Sequence, residues 1–535
     1  MKRKNVLLAL IVVSFLMIAF IGCNGNNDIR PAKLTEGLEN SYFKEYTADG
    51  DGGLAHITYW TMTTSDFAYQ ILDPQEQAKI AKIQANAIHS KLFQPVELVA
   101  GYEATGLLTV DGRTQNITLK VPKKWNGDLI VAGTPGLRNE YANESSIVPW
   151  ILEEGYAYIA GDKGLLHGSN EMLSGNHPTS NWGIMMMDLG HFAKERIEDA
   201  WDRGINHIYV IGLSNGGYQT RRAMELDHEA VMAGAERLFD GGVDWSGAYW
   251  PDARVLDANG DGKVSVSEYV SANTLIGLNE IATLAMKWPY AADTQSTPEH
   301  FYETPPFSAV QDIFVKAGFS AESAPYWGYY NTVYDSYKSI YPTYKGVGYY
   351  NLVAYLYKAD LLGDDAVSSA GYTCFSDPSN PDAEPPLYAW LKSSPTRNWT
   401  DESVEWALKN ANTGEFSAPL LSVHGQMDAL VPLYSQAVAY KDAVEKYGAP
   451  EYYRLYIVEN AGHVDSNADG GGDWDFDHTY GEEGMADKLT PLQAYVRKAF
   501  DYLKDWTEKG IPAPASTTIS NDPANDVVDY TLLSW

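Results

Sequence analysis

Apolar residues follow two rhythms along this chain. In one they occupy consecutive positions. Asp128–Gly133, Gly155–Gly161, His207–Gly212, Pro419–His424 and Tyr452–Val458 are short runs rich in Val, Ile, Leu and Tyr, bounded by Gly or polar residues. Such runs suit strands buried on both faces. In the other rhythm apolar positions recur at helical spacing, over Trp182–Arg203, Asn215–Leu226, Ser435–Tyr447 and Pro491–Trp506. Strands alternating with helices predict a mostly parallel sheet flanked by helices, an α/β class. Glu103–Val110 and Gln115–Val121 predict an adjoining strand pair, joined through Asp111-Gly112-Arg113-Thr114. Upstream, Ile80, Ile83, Ala87, Ile88 and Leu92 fall on one side of a predicted helix over Lys79–Leu92.

The alternation stops near residue 245 and resumes near 416. Residues 246–415 are rich in Tyr, Pro and polar turns with several helical stretches. The expected map is an α/β domain in two parts, 101–245 and 416–507, interrupted by a large helical and irregular cap at 246–415. Residues 23–100 form a tether and N-terminal extension. The tail, 508–535, carries Pro512 and Pro514 and is expected to be extended. No internal repeat is evident.

Composition narrows the function. Of 535 residues, 39 are Lys or Arg and 70 are Asp or Glu, a formal net charge of −31. A surface this acidic repels nucleic acid, so no nucleic-acid partner is expected. Aromatic residues make up 13%, which argues against disorder. The Tyr-rich stretch Tyr326, Trp327, Tyr329, Tyr330, Tyr334 and Tyr337 would face an aromatic or oligomeric acyl group, or pack the cap on the sheet.

Lys2, Arg3 and Lys4 precede the apolar run Leu7–Ile21, too short for an ordinary membrane span. Phe20-Ile21-Gly22-Cys23 resembles the cleavage box of bacterial lipoproteins, with Phe where Leu is usual. That resemblance implies a signal peptide over 1–22 and a lipid on Cys23. The chain would then be exported and lipid-anchored to the cell envelope. With Asn24 next, the outer membrane is the preferred site in a Gram-negative cell. An uncleaved anchor and a plain secretory signal are the alternatives. The one other cysteine, Cys374, is then unpaired and reads as a small buried hydrophobe.

The chemistry centres on Gly212-Leu213-Ser214-Asn215-Gly216-Gly217. A buried strand runs into this G-x-S-x-G and a helix starts directly after it. A serine there sits on a tight turn, and glycines two residues to either side remove Cβ clashes. The Asn215 N–H would lie at the helix N-terminus, where a developing oxyanion is favoured. A serine nucleophile needs a base, and the base an orienting acid.

This arrangement resembles the α/β-hydrolase superfamily of serine esterases, whose chain order is Ser, then Asp or Glu, then His. Val423–Pro432 resembles the family loop that bears the acid, which implies Asp428; Asp244 is the alternative. Asn460-Ala461-Gly462-His463-Val464 resembles the loop that bears the base, which implies His463. His424, at a strand end, reads as structural, and His478 as an outer-layer or metal group. His167 follows Asp162-Lys163-Gly164, which resembles a loop bordering the active site. The second oxyanion donor would come from Gly133-Thr134-Pro135-Gly136, where Thr134 N–H is preferred because Pro135 has none. Arg138, Asn139 and Glu140 line the pocket or form a solvated loop. A weaker resemblance links the Gly-Asp-Lys-Gly run, the insertion and the Ser-Asn-Gly-Gly elbow to the 3-hydroxybutyrate-oligomer hydrolases and to the tannase and feruloyl esterase groups.

A second motif lies at the start of the insertion. Asp257, Asn259, Asp261, Gly262 and Glu268 match the calcium loop D-x-[DN]-x-[DN]-G-x5-E, with Lys263 supplying a carbonyl and Ser265 placed to hold a water. A structural calcium ion is expected there, and no organic cofactor. Asp465-Ser466-Asn467-Ala468-Asp469-Gly470 has only the first half of the pattern, with Phe476 at its twelfth position. Asp49-Gly50-Asp51-Gly52 reads as a turn.

The expected function is carboxylic-ester hydrolysis through Ser214, His463 and Asp428, on a small-molecule or oligomeric ester. The alternatives are a peptidase of the same fold and a calcium-dependent surface binding protein without catalysis.

Overall fold

A computed structural model describes residues 29–47, 54, 99–136, 139–144, 146–166, 181–265, 268, 408–426, 428, 431, 433–463, 490–521 and 530–535. Outside these lie the signal segment with Cys23, Asp49–Gly52, the helix expected over Lys79–Leu92, Arg138, His167, the Tyr-rich stretch, Cys374, the acidic run after His463, and His478.

The described strands form one ten-stranded sheet. They are β1 (Glu39–Tyr46), β2 (Gly101–Val110), β3 (Arg113–Pro122), β4 (Leu129–Gly133) and β5 (Ala157–Gly161), then β6 (Ile208–Leu213), β7 (Gly241–Trp245), β8 (Leu420–Gly425), β9 (Tyr453–Val458) and β10 (Thr517–Ile519). Their spatial order is β1-β2-β3-β5-β4-β6-β7-β8-β9-β10. Strand β3 runs antiparallel to β2 and to β5, and every pair from β5 to β10 is parallel. This is the strand order of the α/β-hydrolase fold.

The uninterrupted apolar runs are explained by two cores. Leu129 and Val131 of β4, with Ile208 and Val210 of β6, face the core under α2 (Trp182–Trp201) and α3 (Asn215–Met232). Their alternates, Ile130, Ala132, Tyr209 and Ile211, face the opposite core under α1 (Val148–Glu153) and α6 (Gln493–Lys509). Each such side chain contributes about 1.5–3 kcal/mol when fully buried. Helix α4 (Ala253–Leu256) is a single turn. Helix α5 (Ala439–Tyr447) follows a π-helical stretch over Leu433–Val438. Helix α6 stops at Gly510, whose φ of 68° allows the N–H groups of Gly510 and Ile511 to turn back onto Trp506 and Asp505 carbonyls.

Three local features differ from the sequence reading. The β2–β3 connection is the two-residue Asp111-Gly112, both with positive φ, and not the four residues to Thr114. Such a turn matches the twist of a hairpin, and Arg113 and Thr114 join the ladder. Residues Glu39–Tyr46 were not expected to be a strand, yet they pair with β2. Thr517–Ile519, in the tail, pairs with β9. Among the described residues no helix is long and apolar enough to cross a membrane.

Candidate active site

Ser214 joins β6 directly to α3 with φ 62° and ψ −118°, a conformation that costs a side-chain-bearing residue energy. Three close approaches hold it there. A Cβ on Gly212 would collide with the backbone of Gly216. One on Gly216 would strike the Gly133 carbonyl and come to 3.0 Å from the Thr134 nitrogen. One on Gly217 would strike Asp244 and Gly247. Helix α3 thus starts packed against the loop after β4, with the Thr134 amide beside its first turn. The Ser214 N–H continues the ladder to the Trp245 carbonyl at 2.9 Å. The Asn215 side chain donates to the Gly136 carbonyl at 3.3 Å, tying helix and loop together.

Asp428 and His463 follow β8 and β9. Parallel strands end on one side of the sheet, so both lie at the same edge as Ser214. Gly425 permits the approach, since a Cβ there would strike the Ala461 and Gly462 carbonyls. His463 Nδ1 lies 2.7 Å from Asp428 Oδ2. With Nδ1–H donating, Nε2 keeps its lone pair. Asp428 Oδ1 accepts the Val431 N–H at 2.7 Å. Burial pushes the Asp428 carboxyl up, but the His463 imidazole and its hydrogen bond outweigh burial and hold it below the ordinary value. Among the described residues, Ser214 and His463 are not directly hydrogen-bonded to each other.

His424 is fully buried, and burial lowers its pKa, so it stays neutral. Its Nε2 donates to the Val431 carbonyl at 2.9 Å, which steadies the turn carrying Asp428. Asp244 is equally buried but differently engaged. Its Oδ2 accepts Arg221 Nε and Ser422 Oγ, each at 2.6 Å. The structure therefore joins His463 to Asp428 and leaves Asp244 with Arg221.

The loops after β4 and β5 lie beside the elbow and are joined to each other through Thr134 and Lys163. Asp162 accepts the Asn116 side chain at 2.6 Å and the Gly164 N–H at 2.9 Å. Burial raises its pKa to about 6 against those bonds. Glu140 is raised to about 7, by burial first and then by the Asp162 charge. Trp182, Tyr218 and Trp250 pack beside the elbow, Tyr218 stacked on Trp250 at 4.3 Å between centroids.

Sequence reasoning placed Asp162-Lys163-Gly164 in a loop bordering the site but gave Lys163 no task there, and it did not single out Asn143 or the Arg221–Asp244 pair. A lysine just after a fully apolar strand was the available signal for Lys163.

The calcium motif forms a tight exposed loop. Asp257 accepts N–H groups of Gly260, Asp261 and Gly262, and Asn259 accepts that of Asp261. Asp261 accepts the Lys263 N–H at 2.9 Å, and Glu268 accepts from Ser265 and Asn259. Gly260 and Gly262 supply the positive φ that this curl needs. The motif's donors are all oxygens, the hard set that suits calcium. A separate trio, Asp128, His207 and Glu508, lies at the other end of the sheet.

No family model and no curated protein matches the chain. Solved structures do. Feruloyl esterase B from Aspergillus oryzae is similar at 13% identity and a TM-score of 0.41, over 79% of this chain and 84% of that one. Tannin acyl hydrolase from Aspergillus niger is similar at 12% identity and a TM-score of 0.42, over 90% and 87%. The rice cell wall degrading esterase LipA from Xanthomonas oryzae is similar at 17% identity and a TM-score of 0.36, over 78% and 89%.

Proposed function

We propose that the chain is a serine hydrolase of carboxylic esters. The observation that carries the reading is the positive-φ Ser214 between β6 and α3, on the sheet edge where His463 is bonded to Asp428. Ser214 Oγ attacks the ester carbonyl as His463 Nε2 takes its proton. The Asn215 and Thr134 N–H groups receive the developing oxyanion. His463 returns the proton to the leaving alcohol, and the acyl group stays on Ser214. Water, giving a proton to His463, then attacks the acyl carbon, and His463 hands that proton to Ser214 Oγ as the acid leaves. Asp428 holds the imidazole in the required tautomer throughout.

The test is turnover of p-nitrophenyl esters of graded chain length, with feruloyl and hydroxybutyrate esters in the same panel. Ser214→Ala is expected to lose activity by roughly 10³-fold or more while keeping the wild-type melting temperature. An unaffected Ser214→Ala sinks the reading.

Asp257, Asn259, Asp261, the Lys263 carbonyl and Glu268 would hold a calcium ion that orders the start of the insertion. Chelator is then expected to lower the melting temperature by a few degrees, and added calcium to restore it. A lipid on Cys23 would anchor the exported chain; palmitate labelling lost in Cys23→Ala checks this.

A further inference from the structure

Lys163 is a buried cation to which the reaction above gives no task. It follows β5 with φ 63°, a region a non-glycine residue occupies at a cost. The residue is 1% exposed. Its side chain reaches under the loop after β4, where Nζ donates to the Thr134 carbonyl at 3.0 Å and to the Thr134 hydroxyl. That hydroxyl passes its own proton to the Gly161 carbonyl at 3.1 Å. The ammonium also lies 5.5 Å from the Trp182 ring centroid.

The preceding peptide is held as well. The Gly133 carbonyl accepts the Asn143 side chain at 3.1 Å. In a trans peptide, C=O and N–H point in opposite directions. Holding the Gly133 oxygen therefore aims the Thr134 N–H the other way. Lys163 holds the oxygen of the next peptide. The Thr134 amide is fixed from both sides, and a charge stands behind it.

We infer that Lys163 is a positioning residue for the oxyanion site, locking the Thr134 amide as a donor and setting a positive charge behind the carbonyl oxygen of the bound ester. The inference rests on the Ser214 hydrolase reading. A neutral donor would satisfy the same two oxygens; a cation adds a favourable field where negative charge develops.

The test measures p-nitrophenyl butyrate hydrolysis per active site, with sites counted by fluorophosphonate titration. Lys163→Met is expected to lower kcat roughly 30- to 100-fold with KM within about threefold of wild type. Lys163→Arg should recover most of the loss. A purely structural role would instead reduce the number of titratable sites and leave kcat per site unchanged. Unchanged kcat per site in Lys163→Met, or no recovery in Lys163→Arg, overturns the inference. If Lys163→Met does not fold, Asn143→Ser releases the same amide from its other side. A tenfold lower kcat per site then supports the locking, and an unchanged one overturns it. Wild type without Ser214-dependent turnover is a different failure, for it removes the hydrolase reading itself and this inference with it.

Discussion

Strands β7 and β8 each bring a buried aspartate to the heart of this molecule, and the two take different partners. Asp244 lies inside β7 and faces the side of the sheet under α3, where Arg221 meets it. Arg221 is a permanent cation that also stacks 4.3 Å from the Tyr440 ring, and Ser422 completes the pair. Asp428 lies three residues beyond the end of β8, so its carboxylate clears the sheet and meets His463. A neutral imidazole can gain a proton during a reaction; a guanidinium cannot. An acid inside the strand therefore ties the fold together, while an acid past the strand can orient a base.

Substitutions at the two aspartates should separate along that line. The largest effect is expected in Asp428→Asn, which stops enforcing the Nδ1–H tautomer of His463. kcat should fall by about 10³- to 10⁴-fold with little change in melting temperature. Asp244→Ala should do the reverse. It leaves Arg221 buried and unpaired, at about 3–5 kcal/mol of stability in denaturant unfolding, while the protein that folds keeps its activity. If Asp244→Ala removes activity from folded protein and Asp428→Asn does not, the two roles are exchanged.

A third and smaller effect uses Glu140, whose environment is the opposite of Asp428's. The fold holds Asp428 below the ordinary value and so favours its charge. Glu140 is raised from 4.5 to about 7, so the native chain binds more protons than the unfolded one between those values. Its contribution therefore falls as pH rises across that window, the reverse of a depressed carboxylate. Glu140→Gln should stabilise the protein at pH 8 relative to pH 5 by about 1–3 kcal/mol, read from unfolding curves at the two pH values.

The elbow was legible because Gly212, Gly216 and a β-branched run are local demands of one tight turn. Fully apolar runs revealed β4 to β6 and β8 because both faces of each strand are covered. The edge strands β1 and β10 were not legible. Their side chains are largely exposed, and their pairing is dictated by β2 and β9 rather than by any alternation of their own. The Asp428 and His463 loops could be placed only by likeness to a known chain order, since their meeting depends on Gly425 yielding space to residues 461 and 462. Arg221 drew no reading from the sequence because nothing nearby in the chain announces Asp244. The Lys163 loop was placed by likeness, but its contact with Thr134 was hidden, because Thr134 lies on a neighbouring strand's loop.

The central claim is that Ser214 is a nucleophile activated by His463, and covalent labelling tests it most directly. Folded wild-type protein treated with a fluorophosphonate should gain one adduct, located by peptide mass spectrometry on Ser214. The adduct should be absent in Ser214→Ala, and in His463→Ala it should form roughly 10³-fold more slowly. No adduct on folded wild type, an adduct on another residue, or unchanged labelling in His463→Ala would contradict the account.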